Sequence, residues 1–243
     1  LFRSLCLQVT YSILSGDGGV FVVNSLTGVI SVSASPDYES LQEYLLTIQA
    51  TDAGSLPLTS ITTVVLTITG VNEFIPHFIP NNSYVVTAAE SLALGHDLIT
   101  VSANDADAGS QGEVTYTIST GDTYGNFVID SHTGVIELVS SLDHEASSQI
   151  TLTVTATDSD SASPLSAQAT VTVNVVDVND NHPECLPTLL APAVLESAVS
   201  GDVVATLNCS DPDSGGNGKL FYTISAGNSD GEITNTEQIM EML

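Results

Sequence analysis

The 243-residue sequence has no tryptophan, two Lys+Arg residues against 29 Asp+Glu, and three cysteines. Each shortage excludes something. A formal charge of -27 at pH 7 repels nucleic acid and anionic headgroups, and no basic patch is available to hold either. Cys6, Cys185 and Cys209 stand too far apart for a Cys-x-x-Cys redox pair and form no metal-ligand cluster. No apolar run is long enough to span a bilayer, and there is no signal segment with charged and apolar regions and a cleavage site. The five histidines come without a G-x-S-x-G elbow or an H-E-x-x-H pair, and carboxylate pairs without a tryptophan platform make a poor sugar cleft. "GSQG" (109–112) and "SGGNGK" (214–219) miss the phosphate-loop pattern and read as tight loops. No enzyme, small-molecule substrate or nucleic-acid partner is expected.

Such acidity often marks disorder, but 42% of the residues are hydrophobic and many are β-branched, the composition of a packed β protein. The sequence also repeats. "VTYSILSGD" (9–17) returns as "VTYTISTGD" (114–122) and as "LFYTISAGN" (220–228); "TGVI" (27–30), "ATD" (50–52) and "DYE" (37–39) return at 133–136, 156–158 and, as "DHE", 143–145. A period of 105 or 106 residues makes each unit a domain of its own. Within the middle unit the pattern is period two. In "QITLTVTATD" Ile150, Leu152, Val154 and Ala156 share one face and threonines the other, and "ATVTVNVV" repeats the alternation. With "SYVVT", "DLITVSA", "EVTYTIS", "FVID" and "VIELV" these segments give about seven short strands, the pattern of an Ig-like Greek-key sandwich. The fold class expected is therefore all-β, in tandem seven-stranded sandwiches at 1–75, 76–182 and 183–243. The first unit starts near its third strand and the last stops following the repeat after about Gly231, so the chain is expected to be an interior piece of something longer.

The acids are concentrated in short loop motifs. These are Glu90 in "AAES", Glu196 in "LES", Asp105 and Asp107 in "NDADAG", Asp211 and Asp213 in "SDPDSG", Asp37/Glu39 and Asp143/Glu145, Asp52 and Asp158 in "ATD", and Glu73, Asp177 and Asp180 at the unit ends. "DVNDNHP" (177–183) crowds four oxygen-bearing side chains into five positions. Hard-oxygen sets without His or Cys suit Ca²⁺, which takes about six to eight oxygens; zinc would want nitrogen or sulfur, and Mg²⁺ would keep its waters. No EF-hand loop is present.

Taken together and in order, these motifs resemble the cadherin family. "DVNDNHP" is similar to its inter-repeat linker D-x-N-D-N-x-P, "ESLALG" and "ESAVSG" to its x-E-x element, "LDHE" to L-D-x-E, "DADAGSQG" and "DPDSGGNG" to its D-x-D…G-x-N-G loop, and "ATDSDS" to A-x-D. The resemblance implies a rod of sandwich repeats, three Ca²⁺ ions at each junction, and cell–cell adhesion at the outer face of the plasma membrane. The implied partner is another cadherin ectodomain, homophilic or heterophilic, with the membrane reached only through a transmembrane segment of the parent protein. A non-adhesive spacer or receptor stalk is the alternative.

At the second junction the resemblance implies that Glu90, Asp143, Glu145, Asp177, Asp180, Asp213 and the Val178 carbonyl hold the first two ions. Asn179, the Asn181 carbonyl, Asp211, Asp213 and the Asn217 carbonyl would hold the third. The first junction departs from the pattern as "GVNEFIP" (70–76), with Gly70 in place of Asp, Glu73 in place of Asp and Phe74 in place of Asn. Its third-ion set is complete as Asn72, the Phe74 carbonyl, Asp105, Asp107, the Gln111 carbonyl and Asp158, while only Asp37, Glu39 and Glu73 remain for the other two. One ion, and a hinge where the others would sit, is the expectation there. His77, His144 and His182 read as spacers beside these residues. Cys185 opens the first strand of the third unit and Cys209 closes its second, so antiparallel neighbours are expected to bring them into disulfide range. Sequons at Asn81 and Asn208 fit a glycoprotein on a secreted route.

Overall fold

A computed structural model describes residues 8–224; within them lie sixteen β-strands and one short 3-10 turn, Gly109–Gly112. The expected all-β fold is present. The described chain divides into two compact units, one of residues up to Asn81 with Ser102–Thr117 and Thr155–Gln168, the other of Asn82–Val101, Ile118–Val154 and the chain from Ala169 onward.

In the first of these, β1 (Thr10–Ser15), β4 (Glu43–Thr51) and β5 (Thr59–Thr67) form one antiparallel sheet, and β2 (Phe21–Val23) pairs with β3 (Ile30–Val32). Alternation decides which face goes inward. Along β4, Tyr44, Leu46 and Ile48 are buried while Leu45 is exposed, and together with Phe21 they make the core, Phe21 meeting Tyr44 edge-on at 5.0 Å between ring centroids. Further along, β6 (His77–Ile79) pairs with β9 (Ser102–Asn104). Phe78 from β6 is buried against Tyr116 of β10 (Val114–Thr120), whose hydroxyl accepts a 2.7 Å hydrogen bond from the Ala103 amide. That pairing fixes the end of β9, from which the Asp105–Asp107 loop leaves.

In the second unit β8 (His96–Thr100), β11 (Phe127–Ile129) and β12 (Val135–Leu138) form a three-stranded sheet, ordered β11-β12-β8. The other sheet runs β10-β13-β14-β7, with β13 (Gln149–Asp158), β14 (Ser166–Val176) and β7 (Ser83–Ala89). Leu152, Val154, Val171 and Val173 are fully buried, each side chain contributing about 1.5–3 kcal/mol by leaving water. Strand β7 runs parallel to β14 from Ser83↔Thr170 to Ala89↔Val176. Consequently Glu90, the next residue after β7, lies level with the end of β14, its amide donating to the Val176 carbonyl at 3.1 Å. All seven strands read from the middle unit's sequence are present.

Among the described residues beyond Pro183, β15 (Glu184–Cys185) and β16 (Cys209–Ser210) are the only strands; they pair, placing Cys185 directly opposite Cys209, and their sulfurs are bonded as expected. Cys6 lies outside the described residues. Residues 220–224 repeat the β10 sequence but form no strand.

Candidate metal centres

The linker after β14 is where carboxylates converge. Oxygens of Glu90, Asp143 and Glu145 all lie within 4.8 Å of one another, as do those of Glu145, Asp180 and Asp213. Local hydrogen bonding explains how the chain holds them there. Glu90 is buried and accepts two backbone bonds at 2.6 Å, from the His144 amide and from the Val178 amide, which tie the start of the β7–β8 loop to the "LDHE" segment and to the linker. His144 Nδ1 donates to the Val175 carbonyl at 2.9 Å, turning its ring toward β14. Asp177 Oδ2 accepts from the Ser214 amide (2.8 Å), the Ser214 hydroxyl (2.7 Å) and Asn217 Nδ2 (3.3 Å). Asn181 Nδ2 donates to Asp180 (2.9 Å) and Asp213 (2.8 Å), and the Asp213 amide donates to Asp211 at 3.0 Å.

Titration behaviour divides the cluster in two. Asp177 is held below the usual carboxylate range, chiefly by the Ser214 hydroxyl, with burial opposing and the Ser214 amide, Asn217 and His144 assisting. Glu145 is pushed up by burial and then by the charges of Glu90, Asp177 and Asp180. Asp180 is pushed up by burial and then by Glu90, Asp213 and Asp143. Asp177, with three donors on one oxygen, is favoured as an anion, whereas at Glu145 and Asp180 burial and neighbouring like charges outweigh the fewer donors.

The second gathering of expected ligands surrounds Asn72. Its Nδ2 donates to Asp158 Oδ2 (2.9 Å) and to the Ser163 carbonyl (3.0 Å). Buried Asp107 accepts from the amides of Glu73 (3.4 Å) and Phe74 (3.0 Å), and its own amide donates to Asp105 at 2.9 Å. Asp158 is 3% exposed; burial would raise its pKa, but donors from Asn72, Asp160 and Leu165 outweigh burial and lower it. These carboxylates do not come within 4.8 Å as a trio, being spaced by hydrogen bonds. In both D-x-D loops glycine is required by close approach: a Cβ on Gly112 would stand 2.0 Å from the Asp107 carbonyl oxygen, and one on Gly218 2.1 Å from that of Asp213.

Four buried side-chain oxygens have no hydrogen-bond partner among the described residues: Asn72 Oδ1, Asp105 Oδ2, Asp177 Oδ1 and Asp213 Oδ2. All four belong to residues expected as calcium ligands. An orphaned buried oxygen is costly unless a cation takes its lone pair, so both gatherings fit a hard divalent ion in their donor chemistry. The remaining expected ligands of the first linker, Asp37, Glu39 and Glu73, form no such close gathering among the described residues. Asp37 and Glu39 are exposed, and Asp37 spends both oxygens locally, on the amides of Glu39 and Ser40 and on the Ser40 hydroxyl at 2.6 Å. Glu73 is exposed, and no group of three acids within 4.8 Å among the described residues includes it. Asn179 is exposed, Gln111 half-buried, and Glu196 lies exposed in the segment between β15 and β16. Sequence reading overlooked Ser214, Ser163 and Ser40, hydroxyl residues whose type carries no ligand signal.

The cadherin domain family matches residues 7–69 and 84–176. Protocadherin Fat 4 of Mus musculus is 38% identical over 224 residues, covering 92% of this chain but 4% of its own length. Cadherin EGF LAG seven-pass G-type receptor 2 of Homo sapiens is 34% identical over 224 residues, 90% of this chain and 8% of its own. Among solved structures, mouse Cadherin-23 EC22-24 superposes with a TM-score of 0.83 at 30% identity, covering 87% of this chain and 68% of that one. The chain thus spans a small part of the curated relatives it matches, and with two domain matches and a solved relative covered over two thirds of its length, it belongs to the cadherin family.

Proposed function

We propose that this chain is a calcium-binding extracellular segment of a cell–cell adhesion protein, with repeats divided near residues 75 and 182. Bound Ca²⁺ would supply positive charge at the end of each repeat and fix the direction in which the chain leaves it. Glu90, Asp143, Glu145, Asp177, Asp180, Asp211 and Asp213, with Asn179, Asn181, Asn217 and the Val178 carbonyl, would hold it at the second linker. Asn72, Asp105, Asp107, Asp158 and the carbonyls of Phe74 and Gln111 would hold it at the first. The observation that carries the reading is the coincidence of the four orphaned buried oxygens with expected ligands. Seven carboxylates against three divalent ions leave the second linker close to neutral.

Adhesion, through another cadherin ectodomain at the outer face of the plasma membrane, is proposed for the parent protein by analogy with these relatives. The calcium reading is tested by calorimetric titration of the parent chain, Asp105→Ala and Asp177→Ala. Each variant is expected to lose part of the binding heat and the double variant most of it. Absence of binding by the parent at about 10 mM Ca²⁺, above the range of extracellular modules, would refute it.

A further inference from the structure

The repeat places Tyr38 where the middle unit has His144, Ser40 where it has Ala146, and Gly70 where it has Asp177. Two of them, Tyr38 and Gly70, meet in space. A Cβ added to Gly70 would lie 3.0 Å from Cδ1 and 3.3 Å from Cε1 and Cγ of Tyr38, so the ring lies against the glycine, in the space an acidic side chain would need to enter. Gly70 has no positive φ, so its backbone tolerates any residue and the ring is the obstacle. In the middle unit the corresponding ring, His144, is instead turned to the Val175 carbonyl, and Asp177 is free to reach Ser214 and Asn217. Ser40 acts on the neighbouring acid: its hydroxyl takes Asp37 Oδ2 at 2.6 Å, whereas at Asp143 the structure places the Ala146 amide on Oδ1 at 2.8 Å and a carboxylate oxygen within 4.8 Å of Glu90 and Glu145.

We propose that Tyr38, seated on Gly70, and Ser40, bonded to Asp37, close the first linker to the two cations that the complete linker takes, leaving an aromatic seam where a hinge was expected. The seam holds without metal, because ring against glycine needs no counter-charge. The proposal rests on the calcium reading for its contrast between linkers but not for the seam itself.

The test uses the full chain and five proteins: parent, Tyr38→Ala, Gly70→Asp, the triple variant Gly70→Asp/Tyr38→His/Ser40→Ala, and Asp180→Ala. Calcium stoichiometry is read by calorimetry and melting temperature by circular dichroism in EDTA. Gly70→Asp alone is expected to add no calcium and to melt below the parent in EDTA; the triple variant is expected to gain about one calcium equivalent, completing an oxygen set of ordinary size. Tyr38→Ala is expected to lower the melting temperature in EDTA with calcium binding unchanged. The proposal is overturned if Gly70→Asp binds as much added calcium as the triple variant, if the triple variant gains none, or if Tyr38→Ala melts with the parent. Failure of the calcium reading looks different: the parent and Asp180→Ala would both bind nothing, and the EDTA melts of Tyr38→Ala and Gly70→Asp would still decide the seam.

Discussion

Replacing Asp213 by Asn should change the sign of its effect with the buffer. Asp213 is 6% exposed; one carboxylate oxygen accepts from Asn181, and the other is buried without a partner. It also faces Glu145 and Asp180 within 4.8 Å and contributes to the upward push on Asp180. Without metal, the asparagine amide keeps the acceptor toward Asn181 and turns a donor toward these carboxylates, relieving an orphaned group that costs about 1–3 kcal/mol. Asp213→Asn is therefore expected to melt above the parent in EDTA. In calcium the order reverses wherever that relief is smaller than the about 2.3 kcal/mol of mass-action stabilisation lost. If about 10 mM Ca²⁺ exceeds Kd roughly 100-fold for the parent and only equals it for the variant, mass-action stabilisation falls from about 2.7 to about 0.4 kcal/mol. At about 2–4 °C per kcal/mol for a chain of this length, the variant should melt some 5–9 °C below its EDTA-corrected expectation. Paired circular-dichroism melts in EDTA and calcium decide it. A variant that lies below the parent by the same amount in both buffers would mean that Asp213 is a structural carboxylate and that the orphaned oxygen signals nothing.

Asp180→Ala should remove most of the calcium-induced rise in melting temperature while Glu73→Ala changes it little, because Glu73 is exposed and outside any close acidic group among the described residues; equal losses in calorimetric titration would contradict the asymmetry. Metal-free chain should respond to pH in two windows. Glu145 and Asp180 have raised folded pKa values, so their repulsion is relieved as pH falls through the region just above the ordinary carboxylate range and stability in EDTA rises there. Asp37, Asp130, Asp158 and Asp177 have lowered values, so the stability they add is present above their unfolded pKa and is lost as pH falls further; melts in EDTA from about pH 7 to pH 3 should pass through a maximum. Calcium affinity should weaken across the upper window, since the same two carboxylates must release protons to bind. Reduction of the Cys185–Cys209 bridge, which closes a loop of sequence separation 24, should cost the segment about 3–4 kcal/mol on the chain-entropy account and raise amide exchange at 184–210, with β7 and β14 unaffected.

Much of this was readable in the residues. Strands such as β13 and β14 show in the sequence because one face is valine, leucine or alanine and the other threonine, so period two survives whatever they pack against. Candidate ligands could be named from sequence because acidic type and loop spacing are what a hard cation selects. The parallel seating of β7 on β14 was not legible, since the alternation of a seven-residue strand does not fix its direction; yet that register delivers Glu90 to the linker. Ser214 and Ser40 escaped notice because a serine beside an acid is common, and only geometry shows that one holds Asp177 by Oδ2 and leaves its Oδ1 unpartnered, while at Asp37 both oxygens are taken. Tyr38 offered less still, since an aromatic residue between two acids matters only once Gly70 is seen beneath it. Among the described residues, 220–224 repeat the β10 sequence without forming a strand, so local pattern alone did not decide that element.

The charge balance points the same way from a different direction. A chain with two basic residues cannot neutralise 29 acids internally, so each acid must be solvated, hydrogen-bonded or matched by something from solution. Asp158 and Asp177 are supplied with amide, hydroxyl and carboxamide donors, and their pKa values fall. Glu145 and Asp180 are drawn into the linker beside other carboxylates without comparable donors, and theirs rise. Protons could satisfy them only at acid pH, and no lysine or arginine salt bridge to either is found among the described residues. Near neutral pH a divalent cation would hold such a group of oxygens together, and on the proposed calcium reading the order of this linker would depend on one.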